Sequence, residues 1–275
     1  MTRPSLLMVQ SLLKETIIMK KYLTIFGIGL VAACTTTGIT STKEGMIEYT
    51  GAQKDIFTKG KAERVMSLKS LPERPGLYGV GPVEGLDGEI TILDGKPYVS
   101  KVRQSGKVVE QSHNHGAFFL VWTEQAQWRD IPIPETVKGY VDLQNFVKAQ
   151  AGNAGIDTTK PFPFRLSGIP TEIKWHINVD RTEGKAITNE LFVKSKEPYV
   201  TNNEPVDIIG FYSEHHPGVF IANYAPAIKR DSGLKNAIHI HFVSRADKMT
   251  GHIDNITLGS GMVLYLPKSQ GRPGE

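Results

Sequence analysis

Three histidines in residues 237–253 are the side chains whose types and spacing most clearly suggest chemistry. His239 and His241 are two residues apart in a strand-like run, so the period of two places both imidazoles on one face. The polar connection 245–251 allows His252 to begin an antiparallel partner strand beside His241. Three imidazoles that converge from one hairpin suit Zn²⁺ or another divalent transition metal and leave a position open for water or substrate. The spacing is also compatible with three histidines that bind no metal.

The elements that would position these histidines are mostly strands. Asp94-Gly95 is a hairpin turn signal between two of them. Helical periodicity is found in 52–71 and 134–151. We therefore predict an α+β fold with antiparallel-rich mixed sheets and few helices. The strand-like runs are 89–93, 96–100, 117–123, 172–179, 206–212, 237–244, 252–258 and 262–267.

A second informative stretch, residues 78–98, reads YGVGPVEGLDGEITILDGKPY and contains Glu89. Together with HIHFVSRADKMTGH at 239–252, it resembles the α-acetolactate decarboxylase family. In that family a Leu-Asp-Gly-Glu segment runs into a Leu-Asp-Gly hairpin, and a His-x-His hairpin with a third histidine follows much later. GIPTEIKWH at 168–176 is similar to an intervening strand of the family. The resemblance spans roughly residues 51–267 and implies the family's fold for the body of the chain.

The resemblance also implies a site and an activity. His239, His241 and His252 match the family's zinc ligands, and Glu89 matches a glutamate beside the metal. The family converts 2-acetolactate, a 2-hydroxy-3-oxo acid, to acetoin and carbon dioxide. This chain would then be a zinc-dependent carboxy-lyase for a small hydroxy-keto acid, in which Glu89 orients the substrate hydroxyl and relays a proton. Family members are commonly homodimers, and zinc is preferred over other divalent metals only by the resemblance.

Two family residues are missing from their expected places. The family's arginine lies eight residues after the strand glycine, and that count from Gly168 reaches His176. We expect His176 to act as the cation or proton donor instead, and the alternative of a packed or exposed histidine without a catalytic role stays open. The family's tail glutamate has only Glu275 as a poor counterpart, and 223–236 is additional sequence. These departures leave open a non-catalytic zinc- or ligand-binding lipoprotein, and also a zinc lyase or hydrolase with another substrate.

Four more histidines occur in pairs. His113 and His115 alternate and could face the site, although a solvated loop is the expected location. His215 and His216 lie where the family has a loop near the active site, so contact with substrate or with a second metal is an open alternative.

The N-terminal region reads as a lipoprotein signal. Residues 19–34, MKKYLTIFGIGLVAAC, combine a short basic region with an apolar run that is too short to span a bilayer. The run ends in Val-Ala-Ala-Cys, which resembles a lipobox, so residues 1–34 are predicted as a signal peptide with its lipobox, cut just before Cys34, which would be lipidated; translation would start at Met19. Residues 35–50 are predicted as a flexible tether and 51–275 as the folded domain. The protein would then be extracytoplasmic and lipid-anchored, at the outer membrane facing the periplasm in a Gram-negative cell.

The charge distribution argues against nucleic-acid binding. Of the formal net charge of +4, most lies in the first 33 residues, and the remainder of the chain is close to neutral. Phosphate binding needs an excess of clustered Lys and Arg, and the near-neutral charge of the chain after residue 33 argues against such a cluster. The sequence has no Gly-rich loop followed by Lys-Ser/Thr, which argues against a P-loop nucleotide site. No serine has nucleophile-elbow surroundings, so serine hydrolase chemistry is not indicated. The membrane would be contacted only through the lipid anchor.

Overall fold

The structure, a computed structural model, describes residues 40–268 of the chain. Its helices are α1 (Asp55–Lys59), α2 (Tyr140–Asn153) and α3 (Asn189–Lys194). Its strands are β1 (Thr42–Glu44), β2 (Ile47–Gly51), β3 (Met66–Ser67), β4 (Leu77–Pro82), β5 (Glu89–Leu93), β6 (Lys96–Arg103), β7 (Gly106–Glu110), β8 (Gly116–Ala117), β9 (Phe119–Glu124), β10 (Trp128–Pro132), β11 (Phe162–Gly168), β12 (Glu172–Asn178), β13 (Lys196–Asn202), β14 (Val206–Tyr212), β15 (Ile238–Ser244), β16 (Thr250–Thr257) and β17 (Val263–Pro267). None of these helices has the length and apolar character needed to cross a bilayer.

Two antiparallel sheets form the body of the protein. The first has seven strands in the order β1-β2-β9-β4-β5-β6-β7, and the second has eight in the order β10-β17-β11-β14-β15-β16-β12-β13. Strand β5 of the first sheet contacts β15 and β16 of the second, so the sheets stack face to face at this point. The predicted antiparallel-rich α+β fold with few helices is confirmed.

The apolar core lies in layers on the faces of these sheets. Between the sheets, Val80 and Val121 of the first pack with Ile209 and Phe211 of the second. A larger cluster fills the space between the outer face of the second sheet and α2. The helix contributes Leu143 and its other buried apolar residues to this cluster. Because side chains alternate along a strand, the histidines of β15 that share a face point into the space between the sheets.

The hairpin β5–β6 forms where the sequence predicts it. Strand β5 pairs antiparallel with β6, and both turn residues have positive φ, 52° at Asp94 and 81° at Gly95. That combination defines a type I′ turn, whose twist matches the strands that it joins. The turn fixes the register that carries Glu89 at the first position of β5.

The prediction of a helix over 52–71 is wrong. Only α1 forms, and it ends where Gly60 adopts a left-handed conformation with φ 68°. Met66 then pairs with Ala117, and Leu68 is buried against the outer face of the first sheet. The apolar residues that suggested a helical face are therefore used by a short strand and a 3₁₀ turn, because tertiary packing overrides the weak local preference.

The second predicted helix, 134–151, begins later than expected. Gly139 is extended and bridges Thr257, so the helix starts at Tyr140. The carboxylate of Asp142 accepts hydrogen bonds from the backbone N–H groups of Lys138 (3.1 Å) and Gly139 (3.2 Å). These bonds satisfy donors that the first helical turn leaves free.

The ordered domain begins before the boundary predicted at residue 51. Strands β1 and β2 occupy most of 42–51, and β2 pairs with β9 in the first sheet. The range 35–50 predicted as a tether therefore includes β1 and most of β2, and Ile47 is buried in the core. Residues 35–39 of the predicted tether, and the predicted signal peptide with Cys34, lie outside the described residues.

Candidate metal centre and active site

The three histidines of the predicted hairpin converge. Strands β15 and β16 pair antiparallel with His241 directly opposite His252, while His239 lies two residues earlier on the same face of β15. One nitrogen from each of the three imidazoles lies within 4.8 Å of the others. The Nε2 atoms of His239 and His241 are 3.1 Å apart. The hairpin therefore brings three imidazole donors close together.

His239 and His241 have the spacing of two ligands of one divalent metal ion. Two nitrogens at ~2.0–2.1 Å from a tetrahedral Zn²⁺ would be about 3.3 Å apart, close to the separation seen for His239 and His241. Desolvation lowers the pKa of His239 to about 3 and places the pKa of His241 and His252 well below the ordinary value. Neutral imidazole is the form that ligates metals, so burial prepares these side chains for binding.

A chain of hydroxyl groups fixes which nitrogen of His241 carries its proton. Thr250 Oγ1 lies 2.5 Å from the carbonyl oxygen of Phe242, which can only accept, so the Thr250 hydroxyl donates to it. Thr250 Oγ1 must then accept from Thr91 Oγ1, 2.5 Å away. Thr91 is left to accept from Nδ1 of His241 at 3.1 Å. The Nε2 lone pair of His241 is therefore free for the metal.

Replacing Thr91 with valine tests this chain. Thr91→Val removes the acceptor for His241 Nδ1 with little change in shape, so we expect zinc affinity to fall about 10- to 100-fold. Titration against a competing chelator measures the affinity. Thr123→Val is the matched control, because Thr123 is a buried threonine of the same sheet that donates to the Met46 carbonyl instead. Equal zinc affinity in Thr91→Val and Thr123→Val would contradict the assigned role.

Glu89 reaches the histidines from the opposite sheet. Its side chain is 2% exposed, and Oε2 lies 3.7 Å from Nε2 of His241. Oε1 accepts a hydrogen bond from Asn178 Nδ2 at 2.5 Å. Desolvation raises the pKa of Glu89 well above its ordinary value, so burial favours the protonated carboxyl group. A buried acid beside three imidazoles is suited to proton transfer.

The segment before Glu89 is held by specific backbone and side-chain features. Gly88 has φ 135°, and a Cβ there would lie 2.4 Å from the carbonyl oxygen of Ser100. Only glycine fits this conformation and contact. Asp87 accepts hydrogen bonds from Lys101 Nζ at 3.0 Å and Arg103 Nη1 at 2.7 Å. Burial alone would raise the pKa of Asp87, but these bonds lower it. Together they fix the entry into β5.

His176 also lies at the site, on β12 beside β16. Its Nδ1 is 2.7 Å from Asp254 Oδ2, and its Nε2 is 3.9 Å from Glu89 Oε1. Asp254 is the extra residue where the β12–β16 register shifts, and this bulge directs its carboxylate toward His176. Burial alone would raise the pKa of Asp254, but the contact with His176 and the positive charge of Lys196 outweigh burial and lower this pKa, so the carboxylate form is favoured.

The surroundings of His176 do not favour its cationic form. Desolvation and the positive charge of Lys196 lower the pKa of His176, and Asp254 only partly opposes them. The neutral imidazole is therefore favoured at pH 7. His176 keeps the geometry of a proton donor or acceptor directed at Glu89, but it does not substitute for a permanently charged arginine.

A cavity opens between the sheets in front of these groups. Its apolar walls include Phe118, Phe119 and Phe220, and its polar end is lined by Glu89, His176, Asn178, His239, His252 and Asp254. Tyr224 and Asn236, from the additional segment 223–236, complete the wall. Helix α2 anchors that segment, because Gln144 bonds both the Lys235 carbonyl and the Ala237 N–H, and Tyr140 donates to Asn236. The additional sequence therefore shapes the site.

The paired histidines lie outside the cavity wall. His113 and His115 are in a loop, as expected, but they are not fully solvated: His115 is buried, 3.0 Å from Glu110, and His113 lies 3.1 Å from Glu73. His215 is exposed. His216 is buried and stacks on Phe220, so it supports the wall from behind. Glu275 lies outside the described residues.

Four site residues were not found from the sequence. Thr91 lies two residues after Glu89, and Asn178 lies two residues after His176, so the period of two along a strand could have indicated both. The position of Asp254 in the site depends on a bulge, and the position of Lys196 depends on the pairing of β13 with β12. Neither feature has a local signal in the sequence.

The protein is thus one of two stacked antiparallel sheets, with three convergent histidines and a buried acid between them. The sequence profile described as alpha-acetolactate decarboxylase matches residues 49–270. The chain belongs to the alpha-acetolactate decarboxylase family.

Individual relatives agree with this assignment. The alpha-acetolactate decarboxylase of Lactococcus lactis subsp. cremoris is 24% identical over 216 residues, which cover 74% of this chain and 77% of the relative. A crystal structure of the Bacillus subtilis alpha-acetolactate decarboxylase superposes with a TM-score of 0.59 at 18% identity, covering 80% of this chain and 84% of that one. A Staphylococcus aureus protein described as similar to the decarboxylase gives 0.56 at 17% identity, over 79% and 83%. These structures share the fold.

Proposed function

We propose that this protein decarboxylates 2-acetolactate, or a closely related 2-hydroxy-3-oxo acid, to acetoin and carbon dioxide in a metal-dependent reaction. The observation that carries the proposal is the buried Glu89 carboxyl group 3.7 Å from a cluster of three convergent histidines, at one end of a cavity. Membership of the family supports a lyase of this kind.

The residues have distinct tasks in this reaction. His239, His241 and His252 would hold the metal, for which we propose Zn²⁺. A bound divalent ion supplies Lewis acidity that favours negative charge on the hydroxyl and carbonyl oxygens of the substrate. Loss of carbon dioxide leaves an electron pair on the remaining fragment as an enediolate, and one proton must then be added to carbon.

Glu89 is the proposed source of that proton. Burial raises its pKa, so the group can hold a proton close to the substrate. Asn178 fixes one carboxyl oxygen and leaves Oε2 directed toward the histidines. Nε2 of His176, whose ring is oriented by Asp254, lies 3.9 Å from Oε1; in this proposal it takes up a proton from solvent and passes it to Glu89 after each turnover. The phenylalanine walls exclude water from the reacting carbon.

The competing function is binding without turnover. It is favoured by one observation, namely that the position expected for an arginine holds a histidine whose pKa is lowered by burial. Bound metal and acetoin formation, measured on the same purified chain with racemic 2-acetolactate, distinguish the two functions. We expect one equivalent of zinc and acetoin release that stops when the metal is removed. Bound zinc without acetoin formation would exclude decarboxylation of 2-acetolactate and favour a protein that binds without turnover.

We also propose that Cys34 carries a lipid anchor that holds the protein outside the cytoplasm. The motif Val-Ala-Ala-Cys after an apolar run supports this proposal. Metabolic labelling with a fatty-acid probe should mark the wild-type chain and not Cys34→Ala. Equal labelling of both proteins would reject the anchor.

A further inference from the structure

Lys196 is a half-buried cation in the wall of the cavity. It is the first residue of β13 and lies directly opposite Asn178 in the register with β12. Residues opposite each other in an antiparallel pair place their side chains on the same face, so Lys196 shares the face of Asn178. Within residues 40–268, Lys196 is the only lysine or arginine that lines the cavity.

The ammonium group of Lys196 has no acidic partner in the described part of the chain. No carboxylate oxygen among residues 40–268 lies within 4.0 Å of Nζ, which instead lies 5.3 Å from the centre of the Phe192 ring.

The two acids that share the cavity are already engaged. Asp254 is paired with His176 at 2.7 Å, and Glu89 accepts a hydrogen bond from Asn178 at 2.5 Å. Lys196 is therefore the charged group in this wall whose hydrogen-bonding capacity is unused. An ammonium group in such a setting gains most from an incoming anion, because a charge-assisted hydrogen bond is strong where water is limited.

We propose that Lys196 binds the carboxylate of the substrate, so that the site selects small 2-hydroxy acids in their anionic form. The identity of the acid rests on the proposed function, but the choice of a carboxylate rests on Lys196. This pairing would place the leaving carboxylate by the lysine and the apolar substituents by the phenylalanines. It would also supply the positive charge that His176 does not provide.

Binding of a non-reactive pair of ligands tests this assignment. The probes are 2-hydroxy-2-methylpropanoate, which lacks the oxo group needed for decarboxylation, and its neutral amide. Calorimetric titration of the zinc-loaded full chain gives each affinity. We expect Lys196→Met to weaken binding of the carboxylate by at least about tenfold and to leave binding of the amide unchanged. Lys196→Arg should stay within about threefold of the wild type for the carboxylate.

Lys194→Met is the matched control, because Lys194 lies two residues away, is exposed and pairs with Glu190. Unchanged carboxylate affinity in Lys196→Met would overturn the inference, as would equal loss for the two probes. Zinc content and acetoin formation are measured on the same preparations. A wild-type chain that makes no acetoin but shows Lys196-dependent carboxylate binding rejects the proposed function and supports this inference.

Discussion

Replacing His241 with alanine is expected to remove most of the bound metal and, with it, the acetoin-forming activity. His241 is fully buried at the centre of the cluster, and its removal leaves two imidazoles. Structural zinc sites contribute roughly 10–16 kcal/mol through four ligands, or about 3 kcal/mol for each, so affinity should fall on the order of 10²- to 10³-fold. Metal content after dialysis and turnover of 2-acetolactate measure the effect.

His215→Ala is the control for this substitution. His215 is exposed and lies outside the cavity wall, so removing its imidazole should change neither metal content nor rate. A His241→Ala protein that kept one equivalent of zinc would place the metal elsewhere in the chain. Comparable losses in the two variants would mean that the metal is held nonspecifically by histidines.

Glu89→Gln is expected to separate metal binding from catalysis. Glutamine is close in shape and keeps an oxygen that can accept from Asn178, so zinc content should match the wild type. It cannot deliver a proton, and loss of a general acid typically lowers the rate by about 10²- to 10⁴-fold. The kcat for acetoin formation measures the loss.

Glu84→Gln serves as the matched control for Glu89. Glu84 lies five residues earlier in the same motif, but it is partly exposed and pairs with Arg64. Its replacement should leave kcat unchanged within about twofold. A Glu89→Gln protein with wild-type kcat would exclude Glu89 from proton delivery and leave it a packing role.

The three-histidine half of the site was predictable because its information is local. His239 and His241 alternate on one strand, and a connection of fixed length returns the chain to His252, so spacing alone brings the imidazoles together. The same reason explains why β5 and its turn at Asp94-Gly95 were predicted correctly. In each case two adjacent strands and one turn contain the whole determinant.

The second half of the site depends on long-range pairing. Glu89 and His241 are 152 positions apart in the chain and meet only because β5 stacks on β15 and β16. Asp254 faces His176 through a bulge, and Lys196 faces the cavity through the β12–β13 register. The helix predicted over 52–71 failed for a related reason, since Met66 and Leu68 are recruited by the first sheet.

The hydroxyl chain that orients His241 has a consequence for the protein as a whole. Thr91 belongs to one sheet, whereas Thr250 and His241 belong to the other, and Ser100 of the first sheet also accepts from the Thr250 N–H at 2.9 Å. Metal binding and the packing of the two sheets against each other are therefore thermodynamically linked. The free energy by which metal binding stabilises the packing equals the free energy by which the packing strengthens metal binding. Metal loading should raise the resistance of the sandwich to separation, and any surface change that loosens the two layers should release the ion more readily.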